Sequence, residues 1–340
     1  MLILLLHLRM LALARRRQAN QAYRRINPTV MPNGNIFRAK FRFTKLAIDE
    51  LVLITNPYLA EPNPNGMTIS KENQVLIFIS SLASNSFQSV ICDRFGCSQQ
   101  TVSNIVERVL YALTDPVVVA HYIQFPIEND AWRKRTARDF SRMAGLRNVV
   151  GAVDGTFIPI QNPPNSNNTF RCRKQFPALN ATFIVDSWGR ILYANPRSTG
   201  STHDSFVLEH STARRRINAI NYPQGFALIG DKAYKNDGRL MTPIARPVTR
   251  QEKQFNKMHA KTRVIVEQVY GMLKRRFPAL SSSMRYEPAK CARMVLAAAV
   301  LWNYGLDKGH GVQRGRGPIN NFYPMPPASR NVRNVVVSTL

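Results

Sequence analysis

Two short apolar runs in the middle of the chain each end in an aspartate, and they constrain the fold more than any other feature. RNVVGAVDG predicts a buried strand that ends at Asp154, and GFALIGDKAY predicts another that ends at Asp231. Between them, ATFIVDSWGRILYANP predicts a β-hairpin that turns around residues 187–189. Together these runs predict a small sheet built from a strand, a hairpin and a further strand.

Two amphipathic segments are predicted to be helices that accompany these strands. STHDSFVLEHSTARRRI carries Asp204 and predicts a helix with Ser201 as its N-cap. KTRVIVEQVYGMLKRRF predicts a later helix, whose apolar stripe consists of Val266, Val269, Tyr270, Leu273 and Phe277. The order strand, hairpin, helix, strand, helix predicts an α/β fold class.

Acidic residues are scarce, so their positions in this order are informative. We expect the first three strands to form an antiparallel meander, with the last strand parallel to the first. Asp154, Asp231 and the start of the helix that carries Asp204 then share one edge of the sheet. Asp186 lies in the hairpin turn and is predicted to lie at the opposite end.

The later helix adds a fourth acid to this edge. Glu267 lies on its outward stripe with Arg263 and Lys274, and the helix can lean over the edge. Clustered carboxylates are costly unless they are protonated or bind metal, and hard oxygen ligands favour Mg²⁺ or Mn²⁺. Taken singly, each acid also fits a turn, a helix N-terminus or an ion pair.

The charge of the chain indicates the class of its partner. The 340 residues include 47 Lys and Arg against 20 Asp and Glu, a net charge of +27. Such an excess favours a polyanion, above all nucleic acid. No apolar run is long enough for a transmembrane helix, so no membrane partner is expected. The four cysteines are spread apart and predict buried thiols instead of disulfides or a zinc site.

Residues 44–130 predict a helical region upstream of the sheet. Thr44 and Ser70 are N-cap candidates, and a helix over about 87–94 meets Gly96 before Ser98 opens a longer helix. This pattern is typical of a helix-turn-helix, and an ordinary helical hairpin fits it equally well. In a helix-turn-helix, DNA would be contacted by Gln99, Gln100, Ser103 and Asn104.

Three basic segments complete the chain. Residues 1–43 are predicted to be a basic N-terminal segment, in which residues 1–14 are either an amphipathic helix or not a genuine folded segment. Residues 131–148 are rich in Arg and predict a helical connector that contacts phosphates. Residues 306–340 are rich in Gly, Pro, Asn and Arg and predict a disordered basic tail.

An ordered series of motifs carries a family resemblance over residues 145–305. The series is VVGAVDGTFIPI, NATFIVDSWGRI, STGSTHDSFVL, ALIGDKAYKNDGRLMTPIARP and FNKMHAKTRVIVEQVYGMLKRRFPAL. In these motifs the chain resembles the PIF/Harbinger transposases and the nuclease derived from them. The resemblance implies an RNase H-like DDE nuclease domain over 147–305, preceded by the helical region.

The resemblance also assigns roles to residues. It implies a catalytic triad of Asp154, Asp231 and Glu267, with 35 residues between the last two, and it makes Asp204 a fourth metal ligand. Arg263 and Lys274 would then contact phosphates on either side of Glu267. The chain departs from the family pattern at Phe157, where a His is usual, and at Thr199, where a Pro is usual.

The function implied is hydrolysis of DNA phosphodiesters by a two-metal mechanism that uses Mg²⁺ or Mn²⁺. Double-stranded DNA would be the substrate, and a Myb/SANT-like protein and a second copy of the chain would be partners. The nucleus would be the site of action, with the cytoplasm as a second location. Two alternatives remain open, namely a catalytically silent DNA-binding protein and an RNase H-like enzyme that acts on RNA–DNA hybrids.

Overall fold

The computed structural model describes residues 34–61, 69–220 and 225–310. The predictions for residues 1–14, and for the tail beyond residue 310, lie outside these ranges. Within them the chain divides into two compact units, with the boundary after Ala112. This boundary falls inside the predicted helical region 44–130. No helix in the described ranges is long and apolar enough to cross a membrane.

The first unit is helical, as predicted. Its helices are α1 (Gly34–Phe41), α2 (Lys45–Thr55), α3 (Lys71–Ser84), α4 (Gln88–Phe95) and α5 (Gln99–Leu113). The hydroxyl of Thr44 accepts a hydrogen bond from the backbone N–H of Ala47, and that of Ser70 accepts one from Asn73, so both predicted caps are confirmed. Helix α1 was not predicted, because it is eight residues long and only Phe37 and Phe41 form its buried face.

The second unit contains a mixed sheet covered by helices. Its elements are α6 (Pro116–Tyr122), α7 (Asp130–Ala144), β1 (Val149–Pro159), β2 (Ala178–Val185), β3 (Ile191–Thr199), α8 (Asp204–Glu209), α9 (Thr212–Ala219), β4 (Ala227–Ile229), β5 (Leu240–Met241), α10 (Arg250–Arg276) and α11 (Pro288–Asp307). In the described residues the strands form one five-stranded sheet in the order β3-β2-β1-β4-β5. The α/β class is therefore confirmed.

The pairing of the strands agrees with the predicted topology. β1 pairs antiparallel with β2, β2 pairs antiparallel with β3, and β4 lies parallel to β1. The short strand β5, parallel to β4, was not predicted because two residues carry no periodic signal. Whether this sheet is RNase H-like stays a prediction.

The predicted basic connector is a packed part of the second unit. Helix α7 lies against β1, and Trp132 and Ala137 join Val153 in the hydrophobic core. Arg133 is buried, and its guanidinium donates to the carbonyl of Ile127 at 2.7 Å. The predicted helix is thus present, and its apolar face packs into the core, while contact of its arginines with phosphates stays a prediction. The four cysteines, Cys92, Cys97, Cys172 and Cys291, are buried free thiols, as predicted.

The segment after β3 differs from its prediction in two respects. The helix begins at Asp204, and the hydroxyl of Ser201 donates to the carbonyl of Thr169 at 2.6 Å instead of capping it. The helix also breaks, because Ser211 caps a second helix by accepting from the N–H of Arg214. Ser201 therefore ties the segment to the loop between β1 and β2.

Candidate active site at the end of strand β4

Asp154 and Asp231 lie where β4 ends. The parallel pairing of β1 with β4 stops at Ala152 and Ile229, two residues before each aspartate. β1 nevertheless continues past Asp154, which pairs with Phe183 on β2. The prediction that Asp154 ends its strand is therefore wrong. The predicted common edge is present because the neighbouring strand stops there.

Asp204 lies against the backbone of β1. A Cβ atom built on Gly155 would lie 2.1 Å from Oδ1 of Asp204, so only a glycine lets the carboxylate approach this closely. The amide of Asn180 on β2 holds Asp204 in place, since its Nδ2 donates to Asp204 Oδ1 at 2.7 Å and to the carbonyl of Thr202 at 2.9 Å. Asp204 is thus held next to Asp154.

The electrostatics of Asp154 reflect these neighbours. Burial raises the pKa of its carboxyl from 3.8 to about 7, opposed by the Gly155 N–H and the Arg263 charge, while the charges of Asp231 and Asp204 add to the rise. The Gly155 N–H donates to Asp154 Oδ1 at 2.9 Å. A largely buried carboxylate with two further carboxylates beside it creates a place where a cation is stabilised.

Arg263 links Asp154 to Glu267. Its Nη1 lies 3.5 Å from Asp154 Oδ2, and its Nη2 donates to Oε1 of Glu267, one helical turn further along α10. Glu267 is exposed, whereas Asp154 is largely buried. As the side chains stand, no three acidic, His or Cys residues in the described ranges are grouped closely enough to hold a metal ion. The Arg263 guanidinium neutralises part of the negative charge of the site.

Two other residues of α10 fasten the helix to β1. Lys274 Nζ donates to the hydroxyl of Thr156 at 2.9 Å and to the carbonyl of Phe157 at 2.8 Å, and burial lowers its pKa to about 8. The hydroxyl of Tyr270 donates to the carbonyl of Asp154. The phosphate contact at Lys274 stays a prediction, and it would require the amine to leave these two acceptors.

The remaining predicted residues lie elsewhere. Asp186 occupies the β2–β3 turn, as predicted, and its Oδ1 accepts from the N–H groups of Trp188 and Arg190 at 2.9 and 2.8 Å. Gly96 ends α4 with a φ of 59°, and α5 begins at Gln99, so the two predicted helices are present, while a helix-turn-helix stays a prediction. DNA contact by this unit stays a prediction. Its proposed residues lie at the surface of α5 and are Gln99, Gln100, Ser103 and Asn104.

Two polar residues of the site were not predicted. Oδ1 of Asn180 and the hydroxyl of Tyr234 are buried without a hydrogen-bond partner in the described part of the chain. Burial and the charges of Asp204, Asp154 and Asp231 raise the pKa of Tyr234, so it faces the same acids. A signal for Asn180 existed, because it is a polar residue inside the apolar run ALNATFIV. The sequence carries no signal for Tyr234 except that it lies three residues after Asp231.

Comparisons with known proteins match the region of the chain that contains this site. A family model described as "DDE superfamily endonuclease" matches residues 153–303, a range that contains all four acids. The proteins named "Putative nuclease HARBI1" of Mus musculus and Homo sapiens are 29% identical over 290 residues, covering 84% of this chain and 81% of theirs. The predicted resemblance is confirmed. The chain is similar to these HARBI1 proteins over most of its length.

More distant relatives extend the same similarity to plants. "Protein ALP1-like" of Arabidopsis thaliana is 24% identical over 293 residues, which cover 80% of this chain and 70% of that protein. No solved structure matches the chain. Of the relatives named here, those from mammals are named as putative nucleases. The range that matches the family model contains the four acids, all of α10 and most of the sheet.

Proposed function

We propose that the chain is a DNA nuclease that depends on divalent metal and hydrolyses phosphodiester bonds at the Asp154 site. The observation that carries this proposal is the group formed by Asp154, Asp204 and Asp231. Burial raises the pKa of the Asp154 carboxyl to about 7, and the charges of Asp231 and Asp204 add to the rise. A fold gains no stability from acids that repel one another, so their joint placement favours a function.

The donor atoms of the site fit a hard divalent cation such as Mg²⁺ or Mn²⁺. Carboxylate oxygens are the ligands that these ions prefer, and Asn180 Oδ1 adds a buried oxygen that has no partner among the described residues. The metal would be held by Asp154, Asp204, Asp231 and Glu267. Two such ions, when bound, would activate the attacking water and stabilise the leaving oxygen of the phosphodiester.

In this proposal Arg263 pairs with carboxylates when metal is absent and binds DNA phosphate when metal is present. Without metal it neutralises Asp154 and Glu267 through its ion pairs. Cations that take up these carboxylates would release the guanidinium, which could then donate to a phosphate oxygen of the DNA backbone. Tyr270 and Lys274 keep β1 and α10 in register, which holds Asp154 and Glu267 on facing elements.

The same ion pairs favour a second candidate function. A guanidinium that already compensates Asp154 and Glu267 would suit a catalytically silent DNA-binding protein. The net charge of +27 supports DNA binding in either case, because Lys and Arg that neutralise phosphates release counterions. If about six phosphates are neutralised, the logarithm of the affinity for duplex DNA should fall with a slope of about −5 against the logarithm of salt concentration.

A nicking assay on supercoiled plasmid separates the two candidates. The wild-type chain and Asp231→Ala would be compared in Mg²⁺, in Mn²⁺ and in EDTA. Metal-dependent nicking that Asp231→Ala abolishes supports the nuclease, whereas equal and metal-independent signals from both proteins would leave the silent DNA-binding protein. Competition by RNA–DNA hybrid against duplex DNA tests the third alternative, an RNase H-like enzyme.

The proposal extends to partners and location. A Myb/SANT-like protein would supply sequence recognition, a second copy of the chain would supply a second active site, and the nucleus would be the main location, with the cytoplasm second. Light scattering of the purified chain tests the oligomer. Microscopy of a tagged chain, with and without the partner, tests the location.

A further inference from the structure

A cleft of about 450 Å³ opens beside Asp204. One of its walls is the loop between β1 and β2, and the other is the segment that leads from β3 into α8. The residues that line it include Phe157, Arg171, Arg173, Gly200, Ser201 and Asp204. The cleft therefore adjoins the acid site and shares Asp204 with it.

The charge of the cleft is set by arginines that are not paired with acids. Arg171 and Arg173 are exposed, and in the described ranges neither guanidinium has a carboxylate within ion-pair distance. Asp204 is the acid in the lining, and the amide of Asn180 already donates to it. An anionic ligand can thus enter on the side of the two arginines without displacing an existing ion pair.

The cleft also offers a flat aromatic surface. Phe157 is partly exposed, and the guanidinium of Arg173 lies over its ring, 5.8 Å from the ring centroid. Aromatic rings and guanidinium planes are the surfaces on which unpaired nucleobases stack. A ligand with both a phosphate and a planar ring matches this combination.

The two walls are tied closely together at the base of the cleft. A Cβ on Gly200 would lie 2.4 Å from the carbonyl oxygen of Phe170 and 2.8 Å from that of Ala178. The hydroxyl of Ser201 donates to the carbonyl of Thr169. Because the backbones are in direct contact there, the cleft is formed before any ligand binds.

We propose that this cleft binds one unpaired nucleotide of the DNA strand that is held at the acid site. The base would stack on Phe157 and Arg173, and the adjoining phosphates would accept from Arg171 and Arg173. The proposal rests on the DNA substrate proposed above and adds a preference for strands that are frayed or unpaired next to the cleavage position. Such strands spare the energy of unpairing and unstacking a base.

Binding without metal tests the proposal independently of cleavage. The probes are three fluorescein-labelled 20-base-pair duplexes: one blunt, one with a four-nucleotide single-stranded flank and one with an abasic flank of equal length. Anisotropy in EDTA would give their dissociation constants. The wild-type chain should bind the natural flank about tenfold more tightly than the blunt duplex, because a stacked base adds affinity that the blunt duplex lacks.

Variants assign this preference to the cleft. Phe157→Leu should remove most of the advantage of the natural flank over the abasic one, and Phe157→His, which keeps a planar ring, should retain it. The double change Arg171→Ala with Arg173→Ala should weaken both flanked probes. Arg147→Ala removes an exposed arginine before the start of β1 and is the matched control, which should affect all three probes equally.

Two outcomes would overturn the proposal. Equal affinity of the wild-type chain for blunt and flanked duplexes would show that no unpaired nucleotide is bound. The second outcome is that the cleft variants lose affinity equally for all three probes while their melting temperatures are unchanged. This would show that the arginines are general phosphate contacts. If flank preference persists in a chain that never nicks plasmid, the nuclease proposal alone fails.

Discussion

The two ends of the sheet each hold an aspartate whose pKa is raised, and the two are stabilised in different ways. At the hairpin end, burial raises the pKa of Asp186 to about 6, but two backbone N–H groups of its own turn and the charge of Arg190 oppose the rise. At the other end, burial raises the pKa of Asp154 to about 7, and two further acids add to it.

This difference separates a structural acid from a candidate functional one. The carboxylate of Asp186 closes a tight turn by accepting local hydrogen bonds, as aspartates in turns commonly do. Asp154 accepts one local hydrogen bond, and Arg263, more than a hundred residues away in sequence, supplies its ion pair. Acids that need a distant cation are those whose removal should alter chemistry more than folding.

The largest expected difference between the two ends of the sheet is the loss of DNA cleavage when an acid at the Asp154 end is replaced. Asp154→Asn, Asp231→Ala and Glu267→Gln should each lower metal-dependent plasmid nicking by about 10³-fold or more, because each removes a ligand that positions charge in the transition state. Melting temperatures without metal should be unchanged or slightly higher, since repulsion among the acids is relieved. Nicking within tenfold of wild type in any of the three would contradict the assigned site.

Glycines at the two ends provide a second contrast. Gly155→Ala would force a methyl group towards Asp204 Oδ1 and should lower nicking by about tenfold or more through displacement of that carboxylate. Gly189→Ala, in the hairpin turn at a φ of +83°, should cost about 1–2 kcal/mol of stability and leave nicking of the folded protein intact. Denaturant unfolding and nicking rates, measured on both variants, would show whether the two effects separate in this way.

The pH dependence of stability should differ between the ends. Because the folded chain keeps a proton on Asp154 up to about pH 7 while the unfolded chain loses it near 3.8, this group's stabilising contribution is complete below pH 4 and is lost between pH 4 and 7. Asp154→Asn should therefore flatten the fall in unfolding free energy over that range. Each pKa unit is worth about 1.4 kcal/mol.

Asp186→Asn is the matched comparison for this titration. The pKa of Asp186 is raised less, so its replacement should flatten the same pH profile less than Asp154→Asn does. Urea unfolding of the metal-free proteins at pH 4, 5.5 and 7 would measure both slopes. If the unfolding free energy of the wild type and of Asp154→Asn changed equally with pH, Asp154 would not be protonated in the folded chain.

The smallest expected effect concerns cleavage at the hairpin end. Asp186→Asn keeps an oxygen that can accept from the N–H groups of Trp188 and Arg190, and it lies in the turn that joins β2 to β3. Metal-dependent nicking should remain within a few-fold of wild type. A folded Asp186→Asn protein without nicking activity would show that both ends of the sheet contribute to the reaction.

Local patterns were enough to predict most of the elements that carry the candidate site. The apolar runs before Asp154 and Asp231, the hairpin around Gly189 and the stripe on α10 each depend on neighbours in sequence, so their periodicity is visible without a structure. The same holds for the Thr44 and Ser70 caps. Periodicity failed where elements were short, as with β5, or where charge obscured a buried face, as in α7.

The sequence by itself determined which residues could form the site, whereas the tertiary structure alone decided how they meet. The order of strands and the scarcity of acids were sufficient to bring Asp154, Asp204 and Asp231 to one edge. Three features of the site join residues that are far apart in the chain. They are the ion pair between Arg263 and Asp154, the close approach of Asp204 to Gly155, and the cleft beside Asp204. Such contacts depend on side-chain packing between elements, and no local pattern in the sequence encodes them.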